Sequence, residues 1–326
     1  MSGRVAVIGA GAWGTALACA MARGAPVTLW GRDAGVVRQI NAERTNRFYL
    51  GAAELPGAIA ATTDLAEALD GARFVLLAVP AQTMRAMLTA MVPHLHANMV
   101  LVSCAKGIER DSGDLMSEVI AETAPANRAA VLSGPSFAAD VARGLPTAVT
   151  LAMADEKAAL AAAEALSRPG LRLYAGGDPT GVEYGGALKN VLAIAAGIVA
   201  GRGLGASAQA ALTARGFAEM TRVAEALGAR VETLAGLSGL GDLILTCSSA
   251  QSRNFAYGLA LGRGEDTSGL KLAEGVATAH IAARIAGDHG IEAPIIAAVA
   301  DILDGRLGVD AAVSALMARP IRVEGQ

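Results

Sequence analysis

Between residues 5 and 23 the chain passes from an apolar tetrad, through spaced glycines, into an alanine-rich helical stretch, and few folds accommodate that passage. Val5-Ala6-Val7-Ile8 ends at Gly9, as a buried parallel strand should. Gly9-Ala10-Gly11-Ala12-Trp13-Gly14 fits G-x-G-x-x-G at the join of strand and helix, with Gly24 as the expected helix stop. In such a pattern the first glycine makes a tight turn, the second lets a pyrophosphate approach the backbone, and the third allows close helix–strand contact. The helix N-terminus adds free N–H groups and partial positive charge. With 39 glycines in 326 residues the bare pattern carries little weight, and its place between strand and helix gives it force. The uncharged stretch 5–22 behind Arg4 superficially resembles a signal peptide or short membrane span, but the glycine spacing explains it better. The other long apolar run, 191–201, is too short at 11 residues to cross a bilayer. No membrane segment is expected.

Hydrophobic residues make up 53% of the chain, which excludes a disordered protein. Lys plus Arg number 27 against 30 Asp plus Glu, so the basic excess that a nucleic-acid partner calls for is missing. Cys19, Cys104 and Cys247 are far apart and odd in number, which gives neither a metal spacing nor a disulfide framework. They fit the thiols of a reducing, cytoplasmic compartment, and no metal site is expected.

Further strand signals at 27–30, 74–79, 99–104, 129–132, 148–153 and 171–174 alternate with helical ones such as 83–91 and 156–166. That alternation predicts βαβ units and a mostly parallel sheet covered on both faces. The expected fold is an α/β, Rossmann-like N-terminal domain over residues 1–182. From Glu183 onward no convincing strand occurs. Helices rich in Ala and Leu are expected near 183–200, 206–227, 253–262, 272–288, 294–304 and 309–318, without a fixed repeat period. They predict an all-α C-terminal, substrate-binding domain over residues 183–326.

Trp30-Gly31-Arg32-Asp33 closes the second strand, where an acid would serve NAD and an arginine would meet a 2′-phosphate. One reading gives Arg32 to NADPH and makes Asp33 a helix N-cap; the other leaves Arg32 solvated and gives Asp33 the ribose. Ser103-Cys104-Ala105-Lys106-Gly107 and Ser133-Gly134-Pro135-Ser136-Phe137-Ala138 each follow a strand, on the side where ligands collect in open α/β sheets. Lys189 and Asn190 head a strongly hydrophobic helix, where a lysine is costly unless paired or lowered in pKa. A nearby second cation such as Lys106 would lower it further, into the range of acid–base work; snorkelling to solvent is the alternative. Asp242 and Thr246 stand four apart, on one helix face. Ser252-Arg253-Asn254 opens another helix with a serine cap and an arginine fork, a combination suited to phosphate or carboxylate.

On residues 9–14, Lys106-Gly107, residues 133–138, Gly185-Gly186-Ala187-Leu188-Lys189-Asn190, residues 239–242, Ser252-Arg253-Asn254 and Glu274-Gly275, the chain resembles bacterial-type NAD(P)-dependent glycerol-3-phosphate dehydrogenases over essentially its whole length. The order and spacing of these segments are specific, although each alone is weak. Ala12 stands where the family frequently has serine, and residues 49–56 match loosely. The resemblance implies reversible reduction of dihydroxyacetone phosphate to sn-glycerol 3-phosphate by NADP(H) or NAD(H), feeding phospholipid synthesis. It implies that Lys189 handles the proton and that Lys106 holds the substrate oxygen. Asp242, with Thr246, would orient Lys189 or a substrate hydroxyl. Ser252, Arg253 and Asn254 would hold the phosphate, with Gly134 and Ser136 closing the far side. Gly9, Gly11, Ala12, Trp13, Gly14 and Arg32 would meet the cofactor, along with Lys106 and Arg253, while Ala138, Leu272 and Glu274 line the rest of its channel. A homodimer is the expected assembly. The nearest rival is a ketopantoate reductase-like or β-hydroxy-acid reductase, disfavoured by the phosphate-type site at 252–254. A non-catalytic NADPH sensor would need none of Lys106, Lys189 and Asp242, and a methyltransferase would have no use for the helical phosphate clamp.

Overall fold

The structure, a computed structural model, describes residues 3–270 and 272–320; residues 1–2 and 321–326, at the outer ends of the two expected domains, lie outside them. The strands are β1 (Arg4–Ile8), β2 (Val27–Trp30), β3 (Ile59–Thr62), β4 (Ala72–Leu77), β5 (Val100–Ser103), β6 (Arg128–Ser133), β7 (Thr147–Ala152) and β8 (Leu171–Gly176). They form one sheet in the order β3-β2-β1-β4-β5-β6-β7-β8. Neighbours run parallel throughout except at β6–β7, which is antiparallel. The strand order reverses between β1 and β4, which opens a crevice beyond their carboxyl ends.

Helices accompany the strands as α1 (Ala12–Met21), α2 (Ala34–Glu43), α3 (Arg47–Leu50), α4 (Leu65–Leu69), α5 (Met84–Met91), α6 (Met116–Thr123), α7 (Ala138–Arg143) and α8 (Glu156–Leu166). Val5 and Val7 of β1 are buried with Leu17 and Met21 of α1 on one face of the sheet. Ala6 and Ile8 are buried with Met84 and Leu88 of α5 on the other. This two-sided burial explains why β1 reads as a continuous apolar run. Asp33 caps α2 by accepting from the backbone N–H groups of Gly35 and Val36, so the capping part of its reading holds.

Two local expectations fail. Strand β3 went unpredicted because Ile59-Ala60-Ala61-Thr62 is short and alanine-diluted, and only its pairing with β2 makes it a strand. Gly24 does not stop α1. The helix ends at Met21, and the bare face of Gly24 instead makes room for Arg168, whose Nε would lie 2.4 Å from an added Cβ.

Beyond the sheet come α9 (Pro179–Gly201), α10 (Ala206–Ala226), α11 (Val231–Leu234), α12 (Asp242–Cys247), α13 (Arg253–Arg263), α14 (Glu274–Asp288), α15 (Pro294–Leu303) and α16 (Val309–Met317). The apolar run 191–201 is the second half of α9, a 23-residue helix long and apolar enough to cross a membrane by length and composition. It is instead the central rod of the helical half, with 89% of its most apolar window buried inside the protein. Pro179 preorganises its first turn, and Asp178 caps it through the N–H of Gly181. Gly197 and Gly201 of α9 face Gly258 and Gly262 of α13 so closely that an added Cβ at Gly258 would sit 2.0 Å from the carbonyl oxygen of Ile194. Side chains of any size would force these two helices apart.

Candidate active site

The first cluster lies at the turn after β1. Gly9 adopts φ +115°, and a Cβ there would meet the Ala78 carbonyl at 2.7 Å. Gly14 lies so near Gly9 that an added Cβ would overlap the Gly9 carbonyl. These two glycines are required by the protein's own contacts. At Gly11 an added Cβ would meet no protein atom within 4 Å. What its bare backbone leaves open is space in front of the N-terminus of α1, where no side chain caps the first N–H groups. A pyrophosphate fits such a cradle, uncapped donors behind and free approach in front. Ala12 and Trp13 occupy the first turn of α1, and Arg32 is exposed at the end of β2.

The second cluster gathers polar groups from both halves of the molecule. The Lys189 ammonium on α9 lies 2.7 Å from Asp242 Oδ1 and donates to Thr246 Oγ1 at 2.6 Å. Thr246 in turn donates to Asp242 Oδ1, one helical turn away on α12. Lys106, in the loop after β5, reaches Asp242 Oδ2 at 2.7 Å and donates to the Gly134 carbonyl at 3.0 Å. One carboxylate therefore holds two ammonium groups, one on each oxygen. A π-helical turn at Leu237–Gly241 immediately precedes Asp242, and the close approach of Gly239 to the Leu234 carbonyl sets it.

Lys189 is only 5% exposed, so it does not snorkel to solvent. Burial lowers its pKa, the carboxylate of Asp242 pulls it back up, and Lys106 pushes it down again, leaving it at about 8. Burial opposes ionisation of Asp242, but Lys106 and Lys189 outweigh that and hold its carboxyl below the usual range. A lysine with a pKa of about 8 beside a carboxylate that two ammonium groups hold toward its ionised form is equipped to give and take a proton.

Ser252 caps α13 through the Phe255 N–H, and Arg253 projects into solvent with no side-chain partner among the described residues. Asn254 donates to Asn190 Oδ1 at 2.8 Å and accepts from the Gly275 N–H, while Asn190 donates to the Lys106 carbonyl at 2.9 Å. Asn190 thereby ties the start of α13 to the loop that carries Lys106. In the sequence Asn190 has no assigned role; it is visible only as an amide inside an apolar helix, at the end of the segment Gly185–Asn190. Glu183, on the same helix, accepts from the Ser117 N–H and hydroxyl, and burial pushes its carboxyl up to about 7. Ser136 donates to the Gly134 carbonyl beside Lys106, and Ala138 begins α7 just beyond. Glu274 accepts from the Ala81 N–H after β4, so α14 reaches the crevice too, whereas Leu272 is an exposed apolar side chain at its approach.

Known proteins share the sequence pattern and the fold that carry these residues. The family model described as the NAD-dependent glycerol-3-phosphate dehydrogenase N-terminus matches residues 4–159, and that of the C-terminus matches residues 178–314. The chain belongs to this dehydrogenase family. A glycerol-3-phosphate dehydrogenase (NAD(P)+) from Chelativorans sp. (strain BNC1) is 58% identical over 321 residues, 98% of each chain. One from Mesorhizobium japonicum is 59% identical over 324 residues, covering 99% of this chain and 94% of that one. The crystal structure of a glycerol-3-phosphate dehydrogenase from Coxiella burnetii superposes with TM-score 0.92 at 39% identity, over 98% of this chain and 99% of that one. A ketopantoate reductase family structure from Ralstonia eutropha JMP134 reaches TM-score 0.60 at 18% identity over 93% and 99%, a likeness of fold alone. The dehydrogenase is thus an NAD(P)-dependent oxidoreductase, as its sequence motifs implied.

Proposed function

We propose that this dehydrogenase interconverts dihydroxyacetone phosphate and sn-glycerol 3-phosphate with Lys189 as general acid and base, and that it serves phospholipid synthesis. The observation that carries the reading is the Lys189–Asp242–Lys106 group at the join of sheet and helices, with Lys189 and Asp242 buried and Lys106 half-buried. Gly9, Gly11, Ala12, Trp13 and Gly14 would hold the dinucleotide, with Arg32 at its adenosine end and Ala138, Leu272 and Glu274 along its channel. When bound, the nicotinamide supplies the hydride. Lys189 Nζ gives its proton to the C2 oxygen as the carbonyl is reduced, and takes it from the C2 hydroxyl in the reverse direction. Lys106, with Nζ between Asp242 and the Gly134 carbonyl, stabilises charge developing on that oxygen. Asp242 and Thr246 hold the Lys189 ammonium in place. The unpaired fork of Arg253, the N–H groups beside Ser252 and the amide of Asn254 take the phosphate, with Gly134 and Ser136 on the far side.

The division of labour follows the chain. Residues 1–182 supply most of the cofactor site and residues 183–326 the proton donor and the phosphate clamp, a division supported by the last strand ending at Gly176 and, among the described residues, by helices alone from α9 (Pro179–Gly201) onward. A cytoplasmic location is supported by three buried, unpaired cysteines. A homodimer, with twice the mass of one chain by sedimentation, completes the reading; a strictly monomeric species would refute that part. The decisive assay follows NADPH and NADH oxidation with dihydroxyacetone phosphate and, separately, with ketopantoate. Turnover is expected with the phosphate substrate and not with the carboxylate, and the opposite preference would overturn the assignment.

A further inference from the structure

The turn that cradles the dinucleotide is braced from outside by a residue to which no motif points. Asn46 is 0% exposed, and its side-chain amide donates to the Ala10 carbonyl at 3.0 Å and to Thr15 Oγ1 at 2.8 Å. Those two partners flank the uncapped N–H groups between Gly11 and Gly14. A carbonyl oxygen only accepts, so the NH2 of Asn46 must face Ala10, and the amide has one workable orientation. We propose that Asn46 is a positioning residue for cofactor binding, a strut that fixes both sides of the glycine turn.

The strut has its own foundation. Arg44 is the sole non-glycine residue with positive φ among the described residues, at +54°, and its guanidinium donates to the Ile59 carbonyl at the edge of the sheet. The Arg44 carbonyl accepts from Leu55 N–H, and Thr45 bridges to Glu54. The Asn46 carbonyl accepts from the N–H groups of Tyr49 and Leu50 and so starts α3. Asn46 is therefore anchored to β3 and α3 independently of α1, which is what a strut requires. A left-handed arginine is a strained choice, and here it turns the chain so that the next residue but one points into the glycine turn.

Because the strut acts where the pyrophosphate sits, it should affect both dinucleotides equally, unlike Arg32 at the 2′ position. The inference rests on the dinucleotide lying at the glycine turn, and Gly11→Val tests that placement separately by filling the cradle. Asn46→Asp keeps the shape but turns the donor into an acceptor facing the Ala10 carbonyl. Dissociation constants for NADPH and NADH, from fluorescence titration, are expected to rise together by roughly tenfold or more. The Michaelis constant for dihydroxyacetone phosphate at saturating NADPH should stay within about twofold, since Asn46 touches none of the substrate groups. Thr15→Val removes one of the two bonds without adding charge and should weaken both dinucleotides several-fold; it decides the matter if Asn46→Asp does not fold. Wild-type affinity for both dinucleotides in the folded variant, or a loss confined to one of them, would overturn the proposal. If Gly11→Val binds normally, the placement itself is wrong and the strut falls with it; if only Gly11→Val loses binding, the strut alone is refuted.

Discussion

Lys189 and Lys106 share the carboxylate of Asp242, and under the proposed mechanism that sharing sets the pH dependence of turnover. Burial is the largest influence on Lys189, and the carboxylate cancels only part of it, so the proton is lost as pH rises through about 8. Reduction needs the protonated amine and oxidation the free one. The turnover number for reducing dihydroxyacetone phosphate should therefore fall above about pH 8, while that for oxidising glycerol 3-phosphate rises through the same range. Parallel profiles in the two directions would remove Lys189 from the proton path. Arg32 belongs to a different question. It is exposed at the end of β2, while the neighbouring Asp33 caps α2 through Oδ1, so Arg32→Ala should weaken NADPH more than NADH in side-by-side titrations. Equal losses would leave the 2′-phosphate without its partner. Both lysines and Asp242 were legible in the sequence because charged groups stand out in apolar segments. The roles of Asn190 and Asn46 were not, since what an asparagine does is hidden until its backbone partners, Lys106 and Ala10, are brought to it from elsewhere in the chain.

Among the elements, α9 and α13 carry the most consequence per residue, because their contact joins Lys189 to the Ser252-Arg253-Asn254 turn. Glycine on both sides permits it. Gly258→Val would drive a side chain into the Ile194 carbonyl and should destabilise the protein by about 1–3 kcal/mol in denaturant unfolding. It should also raise the Michaelis constant for dihydroxyacetone phosphate while NADPH binding persists. Gly287→Ala on α14 is the matched control, since an added Cβ there meets nothing within 4 Å, and it should be neutral or slightly stabilising. If the two substitutions behave alike, close approach of the helices is not what those glycines provide. Most long elements could be read from periodicity, and the expected helix 156–166 coincides with α8. Strand β3 and the short helices α3, α4 and α11 escaped because four or five residues hold too little pattern, and tertiary contacts create them. The antiparallel turn of β7 was also invisible, because apolar strand residues look the same in either direction.

Taken whole, the molecule is two halves stitched at the proposed site of chemistry. The Lys106–Asp242 ion pair, the Asn190 bond to the Lys106 carbonyl, the Ser117–Glu183 pair and the Ala81–Glu274 bond all run between the sheet half and the helical half. The order of motifs along the chain foretold that both halves would contribute, but which groups would touch depended on how α9 lies against the carboxyl ends of the strands. The central claim is that this join places one buried amine where the C2 oxygen must receive its proton. Lys189→Ala tests it most directly, through NADPH oxidation with saturating dihydroxyacetone phosphate beside a titration of NADPH binding. Turnover should drop roughly 10²–10⁴-fold with NADPH affinity retained. Turnover close to that of the unaltered enzyme would show that the proton comes from another group.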